Sequence, residues 1–193
     1  SHKKSLDILR KTNALLEGHF VLSSGLHSSK YIQCAKLLSF PSKAEKICKS
    51  LAAKIKKNFN KFDLILAPAM GGIIIGYEIG KILKKETIFC ERVNGKFILR
   101  RGFRIKKGSR VLIIEDVITT GKSSIECIKL INKSKASHVG FASIIDRSSK
   151  KTLKIKKKII SHLKINVPVY KSNKLPEELK SIPISKPGSR FIK

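Results

Sequence analysis

Apolar positions along the chain follow two spacings. Continuous runs stand at residues 64–67 (Leu-Ile-Leu-Ala), 111–114 (Val-Leu-Ile-Ile) and 139–145, with a further strand-like segment at 87–91. Short unbroken runs of this kind suit strands buried on both faces. Elsewhere the spacing is helical. Pro41 and Ser42 open a segment whose apolar face is Ala44, Ile47, Leu51, Ala52 and Ile55, and helices are also expected over 73–83 and 123–132. Ser5 is expected to N-cap a short helix through Leu9 and Thr12. Residues 18–34, rich in Ser and Gly with β-formers at both ends, predict two short strands around a turn. Residues 93–107 hold Gly95, Gly102 and many cations, and predict a mobile hairpin or loop with too few apolar residues for a core position. From Lys150 the chain is Lys-rich, with an alternating segment at 162–167 and a helical turn at 176–180. Strands alternating with helices predict an α/β fold, an open, mostly parallel sheet flanked by helices with right-handed crossovers. No repeat or linker is visible, so one domain over 1–193 is expected, with a small hood from about 1–40 and the C-terminal tail.

Composition changes this picture little. Of 193 residues 41% are hydrophobic, enough for a core, and no apolar run approaches the ~18 residues of a membrane span. The formal charge of +29 raises a polyanionic partner, nucleic acid or an anionic membrane. A second source stays open: 34 lysines and 28 isoleucines together are what an AT-rich coding sequence would give. Cys34, Cys48, Cys90 and Cys127 are widely spaced beside apolar residues, so buried free thiols, and with them a reducing cytoplasm, are expected. The five histidines show no metal spacing.

The chemistry concentrates in residues 111–124. An apolar strand runs into Glu115 and Asp116, followed by Val117, Ile118, Thr119, Thr120, Gly121, Lys122 and Ser123 at the start of a helix. Backbone amides, hydroxyls and the positive end of a helix make a cradle for one phosphate. Gly121 permits close wrapping. The Gly-Lys-Ser triplet is no Walker loop, since Asp116 stands where that loop needs glycine. Two acids one sugar-length from a phosphate can accept hydrogen bonds from ribose hydroxyls. They can also offset positive charge developing on the ring.

This segment resembles the diphosphate-sugar motif of the type I phosphoribosyltransferases. Residues 18–31 look like the N-terminal hood of the orotate-specific branch, 91–96 like its cationic loop, and 144–147 like the strand end that supplies its base-recognising arginine. The ending at 186–190 is similar to one bacterial subgroup. The resemblance implies transfer of a 5-phosphoribosyl group from 5-phosphoribosyl 1-diphosphate to orotate. The implied catalytic set is Asp116, Glu115, Lys96 and Arg92. Residues 115–123, with Met70, Gly71, Arg92 and Lys96, would bind the diphosphate sugar. Ser23, Ser24, Tyr31, Thr119 and Arg147 would hold orotate, with Arg147 suited to pair its carboxylate bidentately. The family's second loop lysine falls on Val93, its catalytic histidine on Ile98 and the usual lysine of the 68–72 loop on Gly71, so Arg100 and Arg101 are candidates to compensate. Also implied are Mg²⁺ carried by the diphosphate with no direct protein ligand, and a homodimer with loop exchange. Two other activities fit the same fold: phosphoribosyl transfer to a purine base, and a regulator that binds nucleic acid. Against the second stand the 6% aromatic content and the lack of any nucleic-acid motif, so no specific nucleic acid and no membrane are expected as partners.

Overall fold

The apolar runs become strands, and most extend beyond the runs themselves. A computed structural model describes residues 2–22, 24–149, 153, 155 and 157–187. In chain order the elements are α1 (His2–Lys11), β1 (Leu15–Val21), β2 (His27–Ile32), α2 (Cys34–Leu38), α3 (Pro41–Asn58), β3 (Leu64–Pro68), α4 (Gly71–Leu83), β4 (Glu86–Val93), β5 (Lys96–Leu99), β6 (Arg110–Ile118), α5 (Lys122–Lys133), β7 (Ser137–Asp146), β8 (Ile159–Lys164), β9 (Val169–Tyr170), a 3₁₀ turn (Ser172–Lys174), α6 (Glu177–Lys180) and β10 (Ile184–Ser185). They group into two compact units, Pro41–Ile165 and the pair of segments Ser1–Phe40 and Asn166–Lys193.

The larger unit is a six-stranded sheet in the order β5-β4-β3-β6-β7-β8, with only the edge pair β4–β5 antiparallel. Strand alternation divides its core. Ile65 and Ala67 face α4, where a Cβ on Gly76 would approach their side chains. Leu64, Leu66, Val111 and Ile113 pack on the opposite face with Cys127 and Ile131 of α5. Helix α3 packs on α4, β7 and β8, so two helices cover one face and α5 the other. From β3 the chain moves through α4 to β4 on one side. It then returns across β3 to β6 and continues through α5 to β7 on the other. Strand order therefore reverses between β3 and β6, where open α/β sheets bind their ligands beyond the carboxyl ends.

Residues 93–107 form the expected hairpin, but it is anchored in the core rather than free of it. Asn94 and Gly95 have φ of 48° and 78°, the two-residue turn that closes a tight hairpin between β4 and β5. Phe97 and Ile105 are buried in the core beside Cys127 and Ile131, and Phe103 meets the Phe89 ring edge-on at 5.1 Å. The alternating segment at 162–167 is strand only in its first half: β8 ends at Lys164 and pairs with β7 through Ile159–Phe141 and Leu163–Ile145.

The smaller unit holds a four-stranded sheet, β10-β1-β2-β9. The antiparallel β1–β2 pair matches the expected two strands around a turn, with a register irregularity between Glu17 and Phe20. His19 and His27 are buried, with Nε2 of the first 2.6 Å from Nδ1 of the second. His19 Nδ1 lies 3.1 Å from the Ile182 carbonyl. That carbonyl can only accept, so His19 donates to it from Nδ1. Ser5 does not cap a helix: it lies inside α1 and is buried against the unit's core. All four cysteines are buried free thiols. Among the described residues no helix is long and apolar enough to cross a membrane.

Candidate active site

At the reversal point the β3–α4 and β6–α5 connections stand side by side. Strand β6 continues through the two acids to Ile118 instead of ending before them, because Glu115, Val117 and Ile118 pair with Ser143, Ile145 and Asp146 of β7. Glu115 is consequently buried, and Asp116 half-buried. Burial pushes the Glu115 carboxyl up to about 7; the Ser124 hydroxyl pulls it back and the charge of Asp116 adds to the rise. Burial also raises Asp116, against the amide hydrogen bonds of Val117 and of its own backbone.

Beyond the acids, residues 117–123 and Glu115 line a cavity of about 110 Å³. Gly121 precedes α5 in the left-handed conformation, φ 74°, and the helix start has no side-chain cap. The Lys122 amide donates to Thr120 Oγ1 at 3.4 Å, which leaves the next amides of the first turn, those of Ser123 and Ser124, to face a ligand in the cavity. Thr119, Thr120 and Lys122 are exposed and Ser123 is half-buried.

The 68–72 connection closes the site from the neighbouring strand. The Ala69 amide donates to the Cys90 carbonyl at 2.8 Å, and the Ala69–Met70 peptide is cis. A Cβ on Gly71 would lie 2.6 Å from both carboxylate oxygens of Asp116. The start of α4 thus sits directly against the acid, and Met70 is exposed at the rim. On the other side Arg147 follows β7, and its amide donates to the Ile118 carbonyl at 2.9 Å. The backbone places Met70, Gly71, residues 115–123 and Arg147 along one edge of the sheet.

The expected cations of the 91–104 segment are more committed to protein contacts than their charge suggested. Arg92 stacks 4.1 Å over Phe97, donates to the Gly95 carbonyl and approaches Glu126 of α5 at 2.8 Å. That Glu126 oxygen has close charge contact but no hydrogen-bond alignment. Arg100 and Arg101, the candidate compensators, pair with Glu91 at 3.5 and 2.5 Å. Lys96 opens β5 and is exposed. In the smaller unit Tyr31 donates to the Gln33 side chain at 2.9 Å and packs against Phe20, and Ser24 is exposed in a turn. Ser23 lies outside the described residues. Two contacts escaped the sequence altogether: Ser124 to Glu115, and Glu126 to Arg92. Both depend on how α5 packs over the sheet, and no local pattern carries that.

Residues 41–176 match the model of the phosphoribosyl transferase domain. An orotate phosphoribosyltransferase of Parvibaculum lavamentivorans is 47% identical over 191 residues, 98% of each chain. Among solved structures, the orotate phosphoribosyltransferase of Aeropyrum pernix superposes with a TM-score of 0.69 at 24% identity, covering 82% of this chain and 92% of its own. Adenine phosphoribosyltransferase of Saccharomyces cerevisiae does so at 0.64 and 16%, covering 82% and 99%. The fold is therefore shared by enzymes of different bases, and the whole-length sequence match is what separates them. Through that match the chain belongs to the orotate phosphoribosyltransferase family of phosphoribosyl transferase domains.

Proposed function

We propose that the chain transfers the 5-phosphoribosyl group from 5-phosphoribosyl 1-diphosphate to orotate, forming orotidine 5′-phosphate and pyrophosphate. The observation that carries this is the placement of two desolvated acids between the start of α5 and the α4 connection. The α5 amides, with Thr119, Thr120, Lys122 and Ser123, take the 5-phosphate. Glu115 and Asp116 accept the ribose hydroxyls, and backbone groups of Met70 and Gly71 face the diphosphate. Holding two carboxylates out of water is costly, and burial raises the pKa of both. That cost falls when positive charge develops at the anomeric carbon, so the acids stabilise the transition state more than the ground state. Mg²⁺ bound through the diphosphate, with no direct protein ligand, would neutralise part of the diphosphate charge. The carboxylate and hydroxyl oxygens at the strand end are the donor class such a hard cation tolerates nearby.

Arg147 pairs with the orotate carboxylate, and Thr119, Ser23, Ser24 and Tyr31 are assigned to the base on sequence resemblance. Lys96 assists departure of pyrophosphate from its exposed position at the hairpin tip. Arg92 does so only after exchanging Glu126 for the substrate. A homodimer is part of the proposal, supported by an exposed apolar stripe on α4 and its approach, Met70, Ile74 and Tyr77, at helical spacing. The test is loss of the orotate absorbance band on adding the diphosphate sugar and Mg²⁺, run beside adenine, hypoxanthine and guanine. Turnover of a purine with none of orotate would overturn the assignment.

A further inference from the structure

We propose that Ser124 is a positioning residue for the transfer, its buried hydroxyl holding the Glu115 carboxylate in the orientation that faces the ribosyl group. This rests on the role of Glu115 proposed above. By sequence, Ser124 belongs to the run of hydroxyls suited to phosphate. The structure gives it a different partner. The cavity lining stops at Ser123, and Ser124 is fully buried in the first turn of α5 with Oγ donating to Glu115 Oε1. Nor does it cap the helix, which starts from Gly121 without a side-chain cap.

The surroundings explain why a donor is needed there. The ionisable groups facing Glu115 are Asp116 on the same strand and Cys127 on α5, with Cys90 of β4 in turn 3.6 Å from Cys127. Each of these, when charged, is an anion, and none helps Glu115 to ionise. Across β7, Ser143 spends its hydroxyl on the Ile145 carbonyl. The Ser124 hydroxyl opposes the burial that drives Glu115 toward its neutral form. A neutral carboxyl would not offset charge on the ribosyl ring.

The test compares Ser124→Ala and Ser124→Thr in the parent and in Glu115→Gln, reading kcat, KM for the diphosphate sugar, the pH profile and thermal melting. Ser124→Ala is expected to lower kcat roughly tenfold near pH 7, as loss of one hydrogen bond to a charged group would. The acid limb of its profile should move to higher pH, so that activity recovers as pH is raised. Ser124→Thr, which keeps the hydroxyl, should restore the limb, and Ser124→Ala should add nothing in Glu115→Gln. A parental pH profile in Ser124→Ala, with Glu115→Gln crippled, overturns the inference and leaves the role of Glu115 standing. An equal loss in both backgrounds also overturns it, since the hydroxyl would then act independently of the acid. Full activity of Glu115→Gln overturns the role of Glu115 itself. Should Ser124→Ala fail to melt cooperatively, Ser124→Cys, near in volume but a weak donor, takes its place with the same expected limb shift.

Discussion

Replacing Gly71 with alanine probes the closest approach in the site. The added Cβ would lie 2.6 Å from both carboxylate oxygens of Asp116 and 2.7 Å from its Cγ, about 0.8 Å inside ordinary contact. All three atoms are met together, so spinning the carboxylate about its own axis gives no relief. Either Asp116 leaves its rotamer, at about 0.5–1.5 kcal/mol, or the start of α4 backs away, at about 1–3 kcal/mol for overpacking. Alanine's better helix propensity returns up to ~1 kcal/mol. The net loss of stability is then of order 1 kcal/mol, and melting should fall by roughly 2–4 °C for a chain of this length. Turnover should suffer far more. A carboxylate displaced by most of an ångström no longer faces the developing charge, and losing one such preorganised contact costs roughly 10²–10³ in kcat. Orotidine 5′-phosphate formation, followed by orotate absorbance at saturating diphosphate sugar, reads the rate; differential scanning calorimetry reads the fold. Turnover within about threefold of the parent would refute the placement of α4 against Asp116. A large drop in melting temperature with kcat intact would show that the overlap is relieved away from the acid.

Three further outcomes are expected. Glu115→Gln should lose activity yet gain stability at alkaline pH. With its carboxyl raised to about 7 from 4.5, Glu115 binds more protons folded than unfolded, so its contribution to stability falls as pH rises between those values. The fall totals about 3 kcal/mol, and urea midpoints of parent and variant should agree at pH 4 and separate in favour of the variant by pH 8. Arg147→Ala should raise KM for orotate at least tenfold while leaving that for the diphosphate sugar within about threefold, since truncating one partner of a desolvated charge pair costs about 2–5 kcal/mol; equal increases for both would make the residue structural. Phe97→Ala should destabilise by about 3–5 kcal/mol and loosen Arg92, because one ring fills the core and floors that guanidinium; a loss under 1 kcal/mol in chemical denaturation would restore the mobile-arm description of residues 93–107.

That hairpin shows where sequence reasoning reached its limit. Leu64–Pro68 and the 111–114 run of β6 are legible as strands because both faces are covered and nearly every position there must be apolar. Asn94-Gly95 is also a strong local signal, the pair a two-residue hairpin turn favours. In a segment crowded with cations its glycines read as flexibility, and the few apolar residues looked too sparse to anchor it. Phe97 and Ile105 are enough, because they insert between α5 and the sheet. The acids illustrate the reverse. Their residue types point to ribose chemistry, but the apolar run stops at Ile114 and gives no sign that the strand continues past them. Pairing with β7 carries the strand past them and buries Glu115. The two-residue strands β9 and β10 are set by partners distant in sequence, and no periodicity can develop over such lengths.

The reversal of strand order between β3 and β6 also works as a ruler. Neighbouring strands in a sheet are held about 4.8 Å apart by backbone hydrogen bonds. On the proposed assignment, the connections after these two strands grip opposite ends of one substrate, the diphosphate and the 5-phosphate. The gap between the two grips is thus graduated by main-chain geometry rather than by the side chains that face the base. Base-facing residues can vary freely around such a gauge. On that assignment the ruler measures the sugar and never the base, which is consistent with orotate and adenine enzymes sharing the fold.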